Sequence, residues 1–318
     1  MESIQQIKSR IDSIAGTRQI TQSMRMVSTS RLRVVRERLQ SNAVFFDENT
    51  RLVEEAASEY EARDCQYVRR PGSGAGGRSD ADGHADTDDA SAKCFIVVGG
   101  DRGLCGGYNI NICRMARDTL KPFRNVRLIT VGQKIGEYFT RRSRAEALTD
   151  AGSKIVKSYA GISETPFFED AEEIAALALG LFNRKEADSI SIIYTKFVNM
   201  LNLKPALVSL LPLSGEKPAG PDRLSAQTRY EPDCAGLLEQ AVPFWAASAI
   251  FGAILESSVC EQCSRIMSMD SAVNNSGKMM EALTLKYNQA RQGAVTSELA
   301  DIIGGTKALK DKLERADA

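Results

Sequence analysis

Val273-Asn274-Asn275-Ser276-Gly277-Lys278-Met279-Met280-Glu281-Ala282-Leu283-Thr284-Leu285-Lys286-Tyr287-Asn288-Gln289-Ala290-Arg291-Gln292-Gly293-Ala294 is the stretch that decides the architecture. Val273, Ser276, Met280, Leu283, Tyr287, Ala290 and Ala294 alternate steps of three and four, the a/d rhythm of a coiled coil. A helix with so narrow a stripe cannot bury itself. The opposite end of the chain offers a partner, because Ile4, Ile7, Ile11 and Ile14 share one helical stripe. The economical arrangement wraps the two ends around each other as a rod flanking a globular middle.

The first helix is expected from Met1 to about Tyr60, a span without Pro and with only Gly16. At 1.5 Å per residue it would run about 90 Å. Its stripe continues through Ile20, Met24, Val27, Val34, Val35, Leu39, Phe46 and Val53, with a slip of heptad phase at Gly16-Thr17 that predicts a local bend. The second helix is expected from about Leu237 to Leu313. Between them Phe95–Val98, Val126–Val131, Ser189–Phe197 and Ala206–Leu211 read as strands. Segments 111–120, 133–141 and 167–182 read as helices. The alternation predicts a Rossmann-like α/β domain with a mainly parallel sheet, and the whole an α/β domain plus a long antiparallel coiled coil. The boundaries expected are 1–62, 63–92, 93–235 and 236–318. Segment 63–92 is Gly-rich and acidic without apolar anchors, so it reads as a flexible loop. Pro212, Pro218, Pro221, Pro232 and Pro243 punctuate the exit from the sheet.

Charge and cysteine content narrow the function. Forty-one basic and forty-one acidic residues cancel, so the total favours neither nucleic acid nor an anionic membrane. Residues 1–40 are nonetheless basic, with Lys8, Arg10, Arg18, Arg25, Arg31, Arg33, Arg36 and Arg38 against Glu2, Asp12 and Glu37. No stretch approaches the roughly 20 apolar residues needed to span a bilayer, and the start shows no signal-peptide pattern. Seven cysteines without a paired framework suit a reduced, cytosolic protein.

The catalytic motifs are weak. The loop Gly99-Gly100-Asp101-Arg102-Gly103-Leu104-Cys105-Gly106-Gly107 lies where nucleotide-binding α/β proteins hold phosphate, but it has neither G-x-G-x-x-G nor a Gly-Lys-Ser/Thr. It reads as a tight turn of backbone against backbone. Cys260 and Cys263 form a C-x-x-C on a helix with no second pair, which reads as two buried thiols rather than zinc. The one histidine, His84, sits in the acidic loop, so no Ser-His-Asp or Cys-His set can be assembled. No catalytic, cofactor or metal residues are assigned.

Three segments carry a resemblance. Ile14-Ala15-Gly16-Thr17-Arg18-Gln19-Ile20-Thr21-Gln22-Ser23-Met24-Arg25-Met26-Val27, Asp101-Arg102-Gly103-Leu104-Cys105-Gly106-Gly107-Tyr108-Asn109 and Leu285–Leu299 resemble, in order, the amino-terminal helix, core-domain signature and carboxy-terminal helix of F-type ATP synthase γ subunits. The resemblance implies a central rotor shaft, non-catalytic and present in single copy. Its partners would be the α and β subunits of an α3β3 ring, the ε subunit and the membrane c-ring. It would associate with the membrane only indirectly, at the cytoplasmic face of a bacterial inner membrane. It further implies that Met24, Arg265 and Gln292 contact β subunits, and it brings no cofactor and no nucleic acid. Segment 71–91 extends beyond the family pattern, and the thiol-regulatory insertion of chloroplast forms is not evident. Two other readings compete: a nucleotide-binding switch with a helical arm, and a homodimeric coiled-coil scaffold.

Overall fold

The computed structural model describes residues 3–59, 62, 65–68, 92–145, 153–214 and 233–314. The acidic segment 71–91 and His84 lie outside the described residues. The elements are α1 (Ile4–Ser58), β1 (Lys93–Val98), α2 (Tyr108–Leu120), β2 (Val126–Val131), α3 (Gln133–Ala145), β3 (Lys154–Tyr159), α4 (Phe168–Asn183), β4 (Ser189–Asn199), β5 (Asn202–Leu211) and α5 (Cys234–Glu314). They form two compact units, Ser28–Ile266 and Met1–Val27 with Met267–Ala318.

In the larger unit the strand order is β3-β2-β1-β4-β5. The first four strands run parallel, and β5 returns antiparallel to β4. The return is tight because Asn199 Oδ1 accepts from the amides of Leu201 and Asn202, closing an Asx turn. Strand alternation sorts the core into two layers. Phe95 and Val97 of β1 pack with Val126 and Leu128 of β2 beneath Ile112, Ala116, Ile135 and Phe139 of α2 and α3. Cys94, Ile96 and Val98 face the other way, onto Ile174 and Ala178 of α4 and Leu238, Val242 and Ile250 of α5.

Asp233 starts α5, its Oδ1 accepting from the amide of Gly236 at 2.6 Å. Pro243 does not end the exit segment as its residue type suggested; it lies inside α5. Burial of Val242, Trp245 and Ala246 around it outweighs the backbone bond that a proline removes. Within this unit α1 and α5 run antiparallel. Val35 packs with Leu255, Val259 and Cys263, Asn42 meets Gly252, and Thr50 accepts from the Trp245 indole at 3.0 Å. The partner number falls as the α1 number rises.

Folded chain also continues past the expected boundary at residue 62. Tyr67 stacks on Phe182, and Val68 bridges to Leu213.

The smaller unit is built from the ends of α1 and α5. Ser3 and Gln6 form a capping box: Gln6 N donates to Ser3 Oγ, and Ser3 N to Gln6 Oε1. The helix runs unbroken through Gly16. Ile7 is buried, and Ile4, Ile11 and Ile14 are half-buried, so the isoleucine stripe is the covered face. On α5 the seam from Val273 to Ala290 is covered and Leu283 is its most buried residue. Ala294 is exposed, so the covered seam stops short of the sequence pattern. Arg25 and Asp270 form an ion pair at 2.6 Å.

Candidate functional site

In the larger unit the crossover from β3 through α4 to β4 reverses the direction of winding, so the topological switch point lies beside the carboxyl end of β1. An open α/β sheet binds ligands there. Here the crevice is filled by the chain itself. Glu261 on α5 reaches so close to the loop that a Cβ on Gly100 would lie 2.8 Å from its carboxyl carbon. A side chain there would displace the Glu261 carboxyl and the Asn109 amide oxygen.

The donors a phosphate would use are already engaged. Gly100 N donates to Asn109 Oδ1 at 3.0 Å, while Asn109 Nδ2 donates back to Arg102 O. At the start of α3, Gln133 N donates to Asp101 Oδ1 at 2.8 Å. Asp101 also accepts from Gly161 N, Ser163 N and Ser163 Oγ at 2.8, 2.9 and 2.6 Å. An incoming anion would meet two buried carboxylates, Asp101 and Glu261. This corrects the reading of the loop as backbone against backbone alone: side-chain carboxylates organise it. The Asp101 role was missed in the sequence because an Asp between glycines is common turn chemistry.

Of the residues singled out by resemblance, Arg265 belongs to this unit. Its Nη2 pairs with Glu261 Oε1 at 2.5 Å, its Nη1 donates to Gln262 Oε1, and Nη2 also lies 3.4 Å from Gly103 O. The pair is almost fully buried, with 8% and 1% of the side chains exposed. Burial pushes the Glu261 carboxyl up, and the Arg265 charge pulls it back. Glu261 Oε2 has no hydrogen-bond partner among the described residues. Met24 and Gln292 belong to the smaller unit, where Met24 is half-buried and Gln292 exposed.

Nearby, Glu256 accepts from Phe197 N at 2.7 Å. Burial raises its pKa, opposed by that amide, Tyr194 and Lys196. Burial, reinforced by the Glu256 charge, pushes Tyr194 to about 12. A carboxyl whose folded pKa is raised contributes stability below its unfolded value, and that contribution is lost as pH rises through the folded value. Wild-type stability is therefore expected to fall, relative to Glu256→Gln, as pH rises above the ordinary carboxylate range. Thermal melts of both proteins across a pH series check this; parallel profiles would contradict it.

All seven cysteines are free and buried. Burial raises Cys94 and Cys113 to about 12 and pushes Cys260 and Cys263 upward as well. Cys260 donates to Thr195 O, and Cys263 packs on Val35. The C-x-x-C is two core thiols, and thiolate chemistry is suppressed. A thiol-reactive chromophore should label the native chain slowly and all seven sites after denaturation; rapid native labelling of Cys260 would contradict this. Among the described residues no group of three or more His, Cys, Asp or Glu could hold a metal.

Contrary to the sequence expectation, one stretch does have the length and composition to cross a membrane. It lies in α5, and 72% of its window is buried inside the fold, as in a core helix.

Comparison with known proteins gives the family. The family model for ATP synthase matches residues 3–309. The sodium-ion-specific ATP synthase gamma chain of Acetobacterium woodii is 31% identical, covering 97% of this chain and 99% of that one. The ATP synthase gamma chain of Alkaliphilus metalliredigens is 33% identical, covering 96% and 99%. A chain of the Euglena gracilis mitochondrial ATP synthase has the same fold, with a TM-score of 0.65 at 17% identity over 96% of this chain and 94% of that one. With relatives above 30% identity along the full length, and a family match spanning both helices and the sheet, the chain belongs to the ATP synthase γ-subunit family.

Proposed function

We propose that this chain is the central rotor shaft of an F-type ATP synthase, coupling c-ring rotation to conformational cycling of the α3β3 catalytic sites. The observation that carries the reading is apolar surface at the shaft end that its own fold leaves uncovered. Val295, Leu299, Ile302 and Ile303 are 51–66% exposed on α5, as are Ile20, Met26 and Val27 at 54–64% on α1. Such surface marks an interaction site. In this reading it turns within an apolar sleeve made by the α and β subunits.

An asymmetric shaft presents different faces to three β subunits and biases each toward a different nucleotide state, which is population shift by differential contact. The chain itself carries no catalysis. The sheet domain meets the ε subunit and the c-ring, and the whole sits peripherally at the cytoplasmic face of a bacterial inner membrane. Met24, Arg265 and Gln292 contact β subunits in turn. The exposed Gln292 amide is free to do so, whereas Arg265 must exchange Glu261 for a partner carboxylate, a strong yet breakable contact.

The test is affinity isolation of the tagged chain from native membranes, followed by native mass spectrometry and ATPase assay. One copy with three α and three β subunits, and ATPase lost on truncation of the carboxy-terminal helix, is expected. A homodimer lacking α and β overturns the reading.

A further inference from the structure

We propose that Asp101, Ser163 and Ser258 form the joint that passes torque between the sheet and α5, an inference that rests on the rotor reading. Two kinds of contact hold α5 in the larger unit. Its first turns are fastened by apolar packing through Leu238, Val242, Ile250 and Ile254. Such packing is non-directional. It holds the helix onto the sheet, and hydrogen bonds further along add directional contacts.

From Glu256 onward hydrogen bonds to the sheet side join the apolar packing of Val259 and Cys263 on Val35. Tyr108 Oη donates to Ser257 O at 3.0 Å, Ser258 Oγ to Ser163 O at 2.8 Å, Cys260 Sγ to Thr195 O, and Ser264 Oγ to Cys105 O at 2.7 Å. Hydrogen bonds weaken steeply with angle, so these fix the azimuth of α5 against the start of α2, strand β4 and the loops carrying Cys105 and Ser163. The Ser258 and Ser163 hydroxyls are buried, where a low local dielectric strengthens such bonds.

Asp101 makes the seat rigid. Its carboxylate ties the loop after β1 to the start of α3 and to the loop carrying Ser163. That second loop also holds α1, through Arg31 to Glu164 at 3.2 Å and Arg38 to Pro166 O at 3.4 Å. Both long helices are thus geared to one loop whose position Asp101 sets. Asp101 acts as a positioning residue for rotary coupling and touches no nucleotide.

The experiment uses the assembled enzyme in inverted membrane vesicles from a strain whose own γ gene is replaced by the wild type, Asp101→Asn or Ser258→Ala. ATP hydrolysis and the membrane potential it builds are measured on the same vesicles with a potential-sensitive dye, and both are normalised to assembled complex. A merely structural role lowers both readouts with the amount of complex and leaves their ratio unchanged. The joint predicts that the potential built per ATP hydrolysed falls below the wild-type ratio in each variant. Should Asp101→Asn fail to assemble, Ser258→Ala, which leaves the Asp101 seat intact, decides alone. A wild-type ratio in Ser258→Ala overturns the joint. Failure of the wild-type chain itself to restore ATP-driven potential overturns the rotor reading instead.

Discussion

Arg265→Met is expected to destabilise the larger unit by about 3–5 kcal/mol, because it strands the Glu261 carboxylate in the interior. Glu261 is 1% exposed, and its second oxygen has no hydrogen-bond partner among the described residues. The loss comes from the uncompensated charge more than from the bond itself, so removing both charges is expected to restore much of it. The double variant Glu261→Leu with Arg265→Met should lie well above the single one in stability. Trp245 reports the transition directly, since it is the chain's only tryptophan and its indole bonds Thr50 across the helix pair. Denaturant unfolding followed by its fluorescence checks both. A single-variant loss below about 1 kcal/mol would mean that water or a displaced side chain reaches Glu261.

Gly132→Ala carries the other large effect, about 3 kcal/mol or more of destabilisation. Two terms act together there. The residue has φ +103, and an added Cβ would lie 2.5 Å from the carbonyl oxygen of Gly99. Backbone strain and overpacking each cost about 1–3 kcal/mol. Two other glycines separate the terms. Gly161 has φ +87 but open space around it, so Gly161→Ala should show strain alone. Gly16 lies on an exposed turn of α1 with nothing nearby, so Gly16→Ala should stabilise by up to about 1 kcal/mol. Thermal melts of the three variants should follow that order. Equal melting temperatures for Gly132→Ala and Gly161→Ala would remove the steric argument.

Much of the fold was legible because period and burial coincide. The isoleucine steps from Ile4 to Ile14 name the covered face of α1, and the alternation in β1 names both core layers. The strand Lys154–Tyr159 was not legible. It is an edge strand whose Lys154, Lys157 and Ser158 are exposed, so it lacks an apolar run. Ser3 and Gln6 did carry a capping signal, overlooked beside the stronger stripe. The end of the seam was hidden because an alanine at the right spacing fits either a covered or a bare helix, and Ala294 is bare.

The glycine-rich loop reads in the sequence as a tight turn, from its missing lysine and spacing. Its actual organisation was not legible, because Asp101 meets Ser163 from 62 residues away and Glu261 arrives from α5. No local pattern encodes such meetings. Arg265 illustrates the same limit: its spacing places it on a helix face, but only the tertiary fold reveals that the face is turned inward onto Glu261 and Gly103.

A rotor shaft turns inside the ring that surrounds it. The α3β3 ring assembled with it should be fixed to a surface through the β subunits, with a rigid optical probe attached to the exposed hairpin tip at Leu201. On addition of ATP the probe is expected to rotate continuously in one sense, in three steps per turn. A probe that stays fixed while the same assembly hydrolyses ATP would contradict it.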